Sequence, residues 1–124
     1  MKFPAYFVLF IFSSVVHAAD WVKIGGSDTF VTYIDRSSIV KNGSLRKIWV
    51  ILDFKEKQED RFLSERSSEE FDCRQRLYRT RDIRSFSGQM GQGQTVTHTP
   101  LGDSDWGEIP PDSIVETAFK VACK

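Results

Sequence analysis

Two cysteines, Cys73 and Cys123, stand 50 positions apart in a chain of 124 residues, and the segment ahead of them decides what they can do. Met1-Lys2 makes a short positive start. Residues 3–16 (FPAYFVLFIFSSVV) carry no charge and are mostly apolar. Val16-His17-Ala18 follows as a small-residue cleavage site, with Ala19-Asp20 after it. Positive, then apolar, then small is the order of a secretory signal peptide. The apolar stretch is shorter than the ~20 residues of a bilayer span, and Ser13-Ser14 interrupt it, so it reads as a removed leader rather than a membrane helix. Residues 1–18 are therefore expected to be a signal peptide, cleaved after Ala18 or alternatively after Ala19. Residues 19–124 are expected to form one exported domain.

In an exported chain two cysteines allow one intramolecular pair. Two free thiols, or a bridge to another chain, are the alternatives. A closed loop of this length contributes roughly 4 kcal/mol in the chain-entropy treatment. For a domain of 106 residues (124 − 18) that is a large share of a marginal stability. The first cysteine is Cys73, far from the cleavage site, so a lipid-modified first residue is not expected. No second long apolar run exists, and the mature form is expected to hold no integral membrane segment. The precursor carries 17 basic and 17 acidic residues, and loss of Lys2 leaves 16 against 17. That balance argues against a protein built chiefly to hold nucleic acid or anionic lipid.

Trp21 to Ile24 reads as a first strand ended by Gly25-Gly26. Phe30 to Asp35 reads as a second, rich in β-branched and aromatic residues. Asp35 to Ser38 is turn-forming, and Ile39 to Lys41 leads into Asn42-Gly43, a strong hairpin signal when both residues take positive φ. The outgoing strand spans Leu45 to Phe54. Within it Ile48-Trp49-Val50-Ile51-Leu52 does not alternate. Such a strand is either buried on both sides or keeps one face for a partner. On the second reading Ile48, Val50 and Leu52 form a homodimer face. Residues 55–61 (KEKQEDR) read as a solvated loop. Phe62 to Phe86 reads as a long extended stretch, with Phe71, Cys73 and Leu77 on one face and Asp72, Arg74 and Arg76 on the other. The arginines change parity after Tyr78, which predicts a bulge or strand end. Residues 87–95 read as a hairpin loop and Val96 to Thr99 as a short strand.

Near the end, Ser113-Ile114-Val115-Glu116 has the S-x-x-E form of a capping box. Val115, Ala118, Phe119 and Ala122 fall on one face of a helix over 114–122, and Cys123 shares that face. The spacing predicts an α+β domain: a C-terminal helix on an antiparallel sheet, with Cys123 reaching Cys73 on the strand beneath.

Catalytic chemistry has little to stand on. The mature domain holds one histidine, His98, and no G-x-S-x-G elbow. One histidine and two paired cysteines do not make a metal site, so neither metal nor cofactor is expected. Gly88, Gly91 and Gly93 lack the Lys-Ser/Thr of a phosphate loop. The arginines Arg74, Arg76, Arg79, Arg81 and Arg84 are the candidate partner-binding residues, because a guanidinium grips carboxylates and sulfates with two parallel bonds. The competing role for them is a charge-guarded, solvated sheet face or edge.

Several blocks, taken in order, resemble the surface-adhesin protein E family of Gram-negative bacteria. They are Trp21, Tyr33-Ile34-Asp35-Arg36 with Ser38-Ile39, and the Asn42-Gly43 turn. They continue with Trp49 to Phe54, Glu70-Phe71-Asp72-Cys73 and the arginine-rich strand. Gly88, Met90-Gly91, and Trp106-x-x-Ile109-Pro110 ahead of a helix closing on Cys123 complete the pattern. The resemblance covers nearly the whole mature chain. It implies a sheet of about six antiparallel strands and a C-terminal helix tied to it by the disulfide. It also implies dimers and adhesion to host matrix or plasma proteins such as vitronectin and laminin. The expected function is thus a non-catalytic secreted or surface binding domain, with 87–95 beside the arginine strand as contact surface. The alternative is a periplasmic small-ligand or envelope protein, with a pocket between helix and sheet lined by aromatics and one or two arginines.

Overall fold

The chain runs through its strands as a meander, each returning beside the one before. The computed structural model describes residues 1–13 and 18–124. Ser14, Val15, Val16 and His17 lie outside the described residues, and with them most of the expected cleavage motif. Residues 1–13 form no helix or strand and are exposed. The strands are β1 (Trp21–Gly26), β2 (Phe30–Asn42), β3 (Leu45–Phe54), β4 (Ser64–Asp72), β5 (Leu77–Phe86), β6 (Thr95–Pro100) and the two-residue β7 (Gly107–Glu108). The sheet order is β1-β2-β3-β4-β5-β6, every pairing is antiparallel, and β7 pairs with β5. One helix, α1 (Ile114–Ala122), follows. The expected α+β class, strand number and helix limits are all present.

Three local expectations are corrected. Asp35 to Ser38 is not a turn between strands but a bulge inside β2. The register passes from Asp35↔Trp49 to Val40↔Lys47, so residues 36–39 face Ile48 alone. The Ser37 and Ser38 hydroxyls bond Asp35, and Ser38 Oγ accepts from Trp49 N at 2.9 Å, replacing the missing ladder bonds. The β2–β3 loop is Gly43-Ser44, since Asn42 already pairs with Leu45. Only Gly43 has positive φ (59°), which puts glycine at the first loop position, the pattern of a II′ rather than a I′ turn.

The third correction bears on the arginines. Phe62 to Phe86 is a hairpin and not one extended stretch. Asp72 pairs with Leu77, leaving residues 73–76 as the turn. The Asp72 carboxylate accepts from Arg74 N and Gln75 N, both at 3.0 Å, and Asp72 O accepts from Arg76 N at 2.9 Å. A side chain that bonds the backbone just ahead of it is a turn-maker. Cys73 therefore opens a turn at the sheet's end. There it meets Cys123, with the sulfurs 2.06 Å apart and the Cα atoms 5.6 Å apart.

α1 begins where Ser113 Oγ accepts from Glu116 N at 3.1 Å. Its Ala118, Phe119 and Ala122 pack on Ile34, Ile48, Val50 and Phe71 of the sheet. The ring of Phe119 meets that of Phe71 edge-on with centroids 6.0 Å apart. Ile48 is 0% exposed. Of the expected dimer face, Ile48 and Val50 thus lie in the floor under α1, and Leu52 is partly buried against that core. On the other side of β3, Ile51 is 1% exposed. β3 is the doubly buried strand that its unbroken apolar run suggested.

Candidate functional site

The sheet has two faces, and α1 takes one. The other is crossed at its two ends by loops. At one end the β5–β6 loop is fastened down: Met90 N donates to Asp53 Oδ1 at 2.7 Å, Gly91 N donates to Ser64 Oγ at 2.9 Å, and Ser64 Oγ donates to Gly88 O at 2.6 Å. Gly93 sits at φ 83°, where a Cβ would strike Ser87 Oγ, so this loop needs a glycine there. At the other end, residues 101–106 are held to β5. Ser104 Oγ donates to Thr80 O at 2.7 Å, and Arg81 pairs with Asp103 at 3.1 Å.

Between the loops lies a short stretch of open sheet whose side chains are set by register. Arg66 on β4 stands opposite Ile51 on β3 and Arg84 on β5. Its guanidinium lies 4.9 Å from the centre of the Trp49 ring and 5.2 Å from that of Phe86. Two diagonal cross-strand aromatics therefore clasp one arginine, an arrangement worth about 0.5–2 kcal/mol per ring depending on desolvation. Among the described residues no carboxylate pairs with Arg66, and its buried Nε has no hydrogen-bond partner. Like charges directly opposite each other on a sheet repel. Arg66 and Arg84 are such a pair. Arg84 is partly relieved by Asp82 at 3.8 Å, and its side chain is 40% exposed. Asp82 also holds His98 Nε2 at 2.6 Å, beside Arg84. The result is one guanidinium on an aromatic bed with a second arginine opposite it, flanked by a histidine, and with Asp82 as the neighbouring carboxylate.

The candidate arginines divide by what they touch. Arg79 and Arg81 converge on Glu70 at 2.7 and 3.8 Å, and Arg79 stacks 4.2 Å above the Trp106 ring. These two anchor the 101–106 segment and are spent on structure. Arg76 lies 4.9 Å from the centre of the Phe119 ring and 3.9 Å from Glu116, bracing the helix from the turn. Arg74 is exposed in that turn, so Arg74 and Arg76 do not share a strand face as their spacing suggested. Arg84 alone of the five joins the open stretch. Arg66, which completes it beside Trp49, is not marked by anything in the sequence. Only the register that places Arg66 between two aromatics on neighbouring strands reveals it.

The helix-covered face holds a recess of about 240 Å³ between α1 and the sheet. It has the aromatics Phe30, Phe71 and Tyr78, as the small-ligand alternative required, but its charged side chain is Glu69 and not an arginine. Burial pushes the Glu69 carboxyl above the usual range. Hydrogen bonds from Thr80 and Ser67 offset this in part, and the Glu65 charge adds to it. Glu65 is raised by burial alone.

The family model for surface-adhesin protein E matches residues 21–124. The fold is similar to the selenomethionine form of Haemophilus influenzae protein E, with a TM-score of 0.61 at 14% identity over 86% of this chain and 92% of that one. A second crystal form of that protein gives 0.56 at 14% identity, over 89% and 96%. Protein E from non-typeable Haemophilus influenzae gives 0.56 at 13% identity, over 89% and 79%. A search of curated proteins finds no match.

Proposed function

The chain belongs to the surface-adhesin protein E family, and we propose that it is a non-catalytic binding domain of an exported protein. Its contact surface is the open stretch around Arg66 and Arg84, and its partners are proteins presenting carboxylate or sulfate groups, matrix or plasma proteins among them. The observation that carries this reading is Arg66: a guanidinium seated on Trp49 and Phe86, facing a second arginine, with no carboxylate of its own among the described residues. Aromatic and arginine side chains are the usual anchors of protein contacts. An incoming acid meets one fork held against two rings and a second, more exposed fork opposite it. His98 stays outside this chemistry as a flank. It bonds Asp82 in the open, and a base needs a nucleophile within reach.

Export is read from the leader over residues 1–18. The test is protease accessibility of the protein on intact cells, with the cell-free medium assayed alongside. Cleavage on intact cells, or protein in the medium, is expected. Binding to immobilised vitronectin and laminin is then expected to weaken as salt rises, because exposed charges more than about 10 Å apart are screened at 0.1 M salt. Protection until the outer membrane is opened would end the adhesin reading.

A further inference from the structure

The recess under α1 is not used by the surface just described. It is lined by Ile24, Val50, Leu52, Phe71 and Tyr78 from the sheet and by Val115 from the helix. Into this apolar lining comes one carboxylate. Glu69 stands on β4 between Ile48 of β3 and Thr80 of β5. Its Oε1 accepts from Ser67 Oγ at 3.0 Å and its Oε2 from Thr80 Oγ1 at 2.8 Å. An ionised carboxylate offers about four acceptor sites, so one bond to each oxygen leaves capacity on both. The ion pairs among the described residues engage Asp20, Glu70, Asp82, Asp103 and Glu116, and none engages Glu69 or Glu65. Glu65 lies four residues along the same strand on the same face. A carboxylate taken from water without a counter-charge is costly unless something pairs it.

An apolar recess lined by one unneutralised carboxylate, with a second farther along the same strand face, selects its occupant. An anion is repelled. A neutral apolar molecule fills the space but leaves the charge. An ammonium on a short apolar body does both. We propose that the recess binds a small amphiphilic cation, an amine with a short aliphatic or aromatic body, whose ammonium donates to Glu69. The volume favours a small body, since pockets for drug-sized ligands run from about 300 to 1,000 Å³. The proposal stands apart from the arginine surface on the opposite face, and either can fail alone.

The test is titration of the folded protein at pH 7 with n-hexylammonium, n-hexanol and hexanoate, followed by amide chemical shifts. Hexylammonium is expected to bind about tenfold more tightly than hexanol or better, a charge-assisted bond being the difference. Its shifts should centre on Val50, Phe71 and Ala118, and hexanoate should not bind. Glu69→Gln should bring hexylammonium down to the level of hexanol. Val115→Trp, which narrows the recess from the helix side, should weaken both and keeps the test open if Glu69→Gln does not fold. Equal binding of amine and alcohol, no binding of the amine, shifts centred elsewhere, or an amine preference that survives Glu69→Gln would each overturn the proposal.

Discussion

Replacing both cysteines, Cys73→Ala with Cys123→Ala, isolates what the cross-link contributes. The bridge closes a loop of 50 positions that contains β5, β6, β7 and the whole of α1. In the chain-entropy treatment a loop of 50 lowers the unfolded chain's entropy by about 14 cal/mol/K, or about 4 kcal/mol at 25 °C. The native state keeps its other ties between helix and sheet, namely Phe119 on Phe71 and Arg76 on Phe119. The loss is therefore expected to be global and to arise in the unfolded state. With a urea slope of about 1–2 kcal/mol per molar, the midpoint should fall by about 2–4 M. Unfolding is followed by tryptophan fluorescence, from Trp21 in β1, Trp49 in β3 and Trp106 in the clamped loop, and in parallel by far-ultraviolet circular dichroism. The two probes should give one coincident transition. A midpoint shift below about 0.5 M would refute the entropic reasoning. So would helical signal lost well before tryptophan signal, because the bridge would then be a local tether for α1.

Other perturbations have expected outcomes of their own. Ile48→Ala should cost about 2–5 kcal/mol in chemical denaturation, and Ile48→Asp should prevent folding, because Ile48 lies sealed beneath α1; a folded Ile48→Asp protein would contradict the packing described. Ser113→Ala should cost about 1 kcal/mol by removing the acceptor for Glu116 N, read from the same denaturation curves. Glu69→Gln should stabilise the protein at neutral pH and leave it unchanged well below pH 4. The folded carboxyl ionises less readily than the unfolded one, so the native state is penalised once pH rises through the ordinary 4.5 toward the raised folded value. Denaturation midpoints measured across that range should converge at the acid end, and a constant offset would show that burial of the charge is not the cause.

The parts of the fold legible in the sequence are those whose signals are local. The limits of α1 follow from Ser113 and the apolar residues 115, 118, 119 and 122, all within one short segment. The double burial of β3 follows from its unbroken apolar run. The 73–76 turn was hidden because Phe71, Cys73 and Leu77 keep the parity of one strand, while the deciding feature is how the Asp72 carboxylate turns back to the backbone. The site was hidden more deeply. Five arginines crowd the run from Arg74 to Arg84 and draw the eye, yet Glu70, Glu116, Trp106 and Phe119 occupy most of them. Arg66 has nothing unusual beside it in sequence. Its two aromatic neighbours come from β3 and β5, and only the pairing register brings them to it.

Whether the Arg66–Arg84 stretch is the contact surface is decided by the affinity of Arg66→Gln/Arg84→Gln for immobilised vitronectin and laminin, measured against the parent protein at low and at physiological salt. A loss of about tenfold or more at low salt, a flatter salt dependence, and an unchanged fold by circular dichroism are expected. Undiminished affinity with the parent's salt dependence would contradict that assignment and move the contact surface elsewhere on the domain.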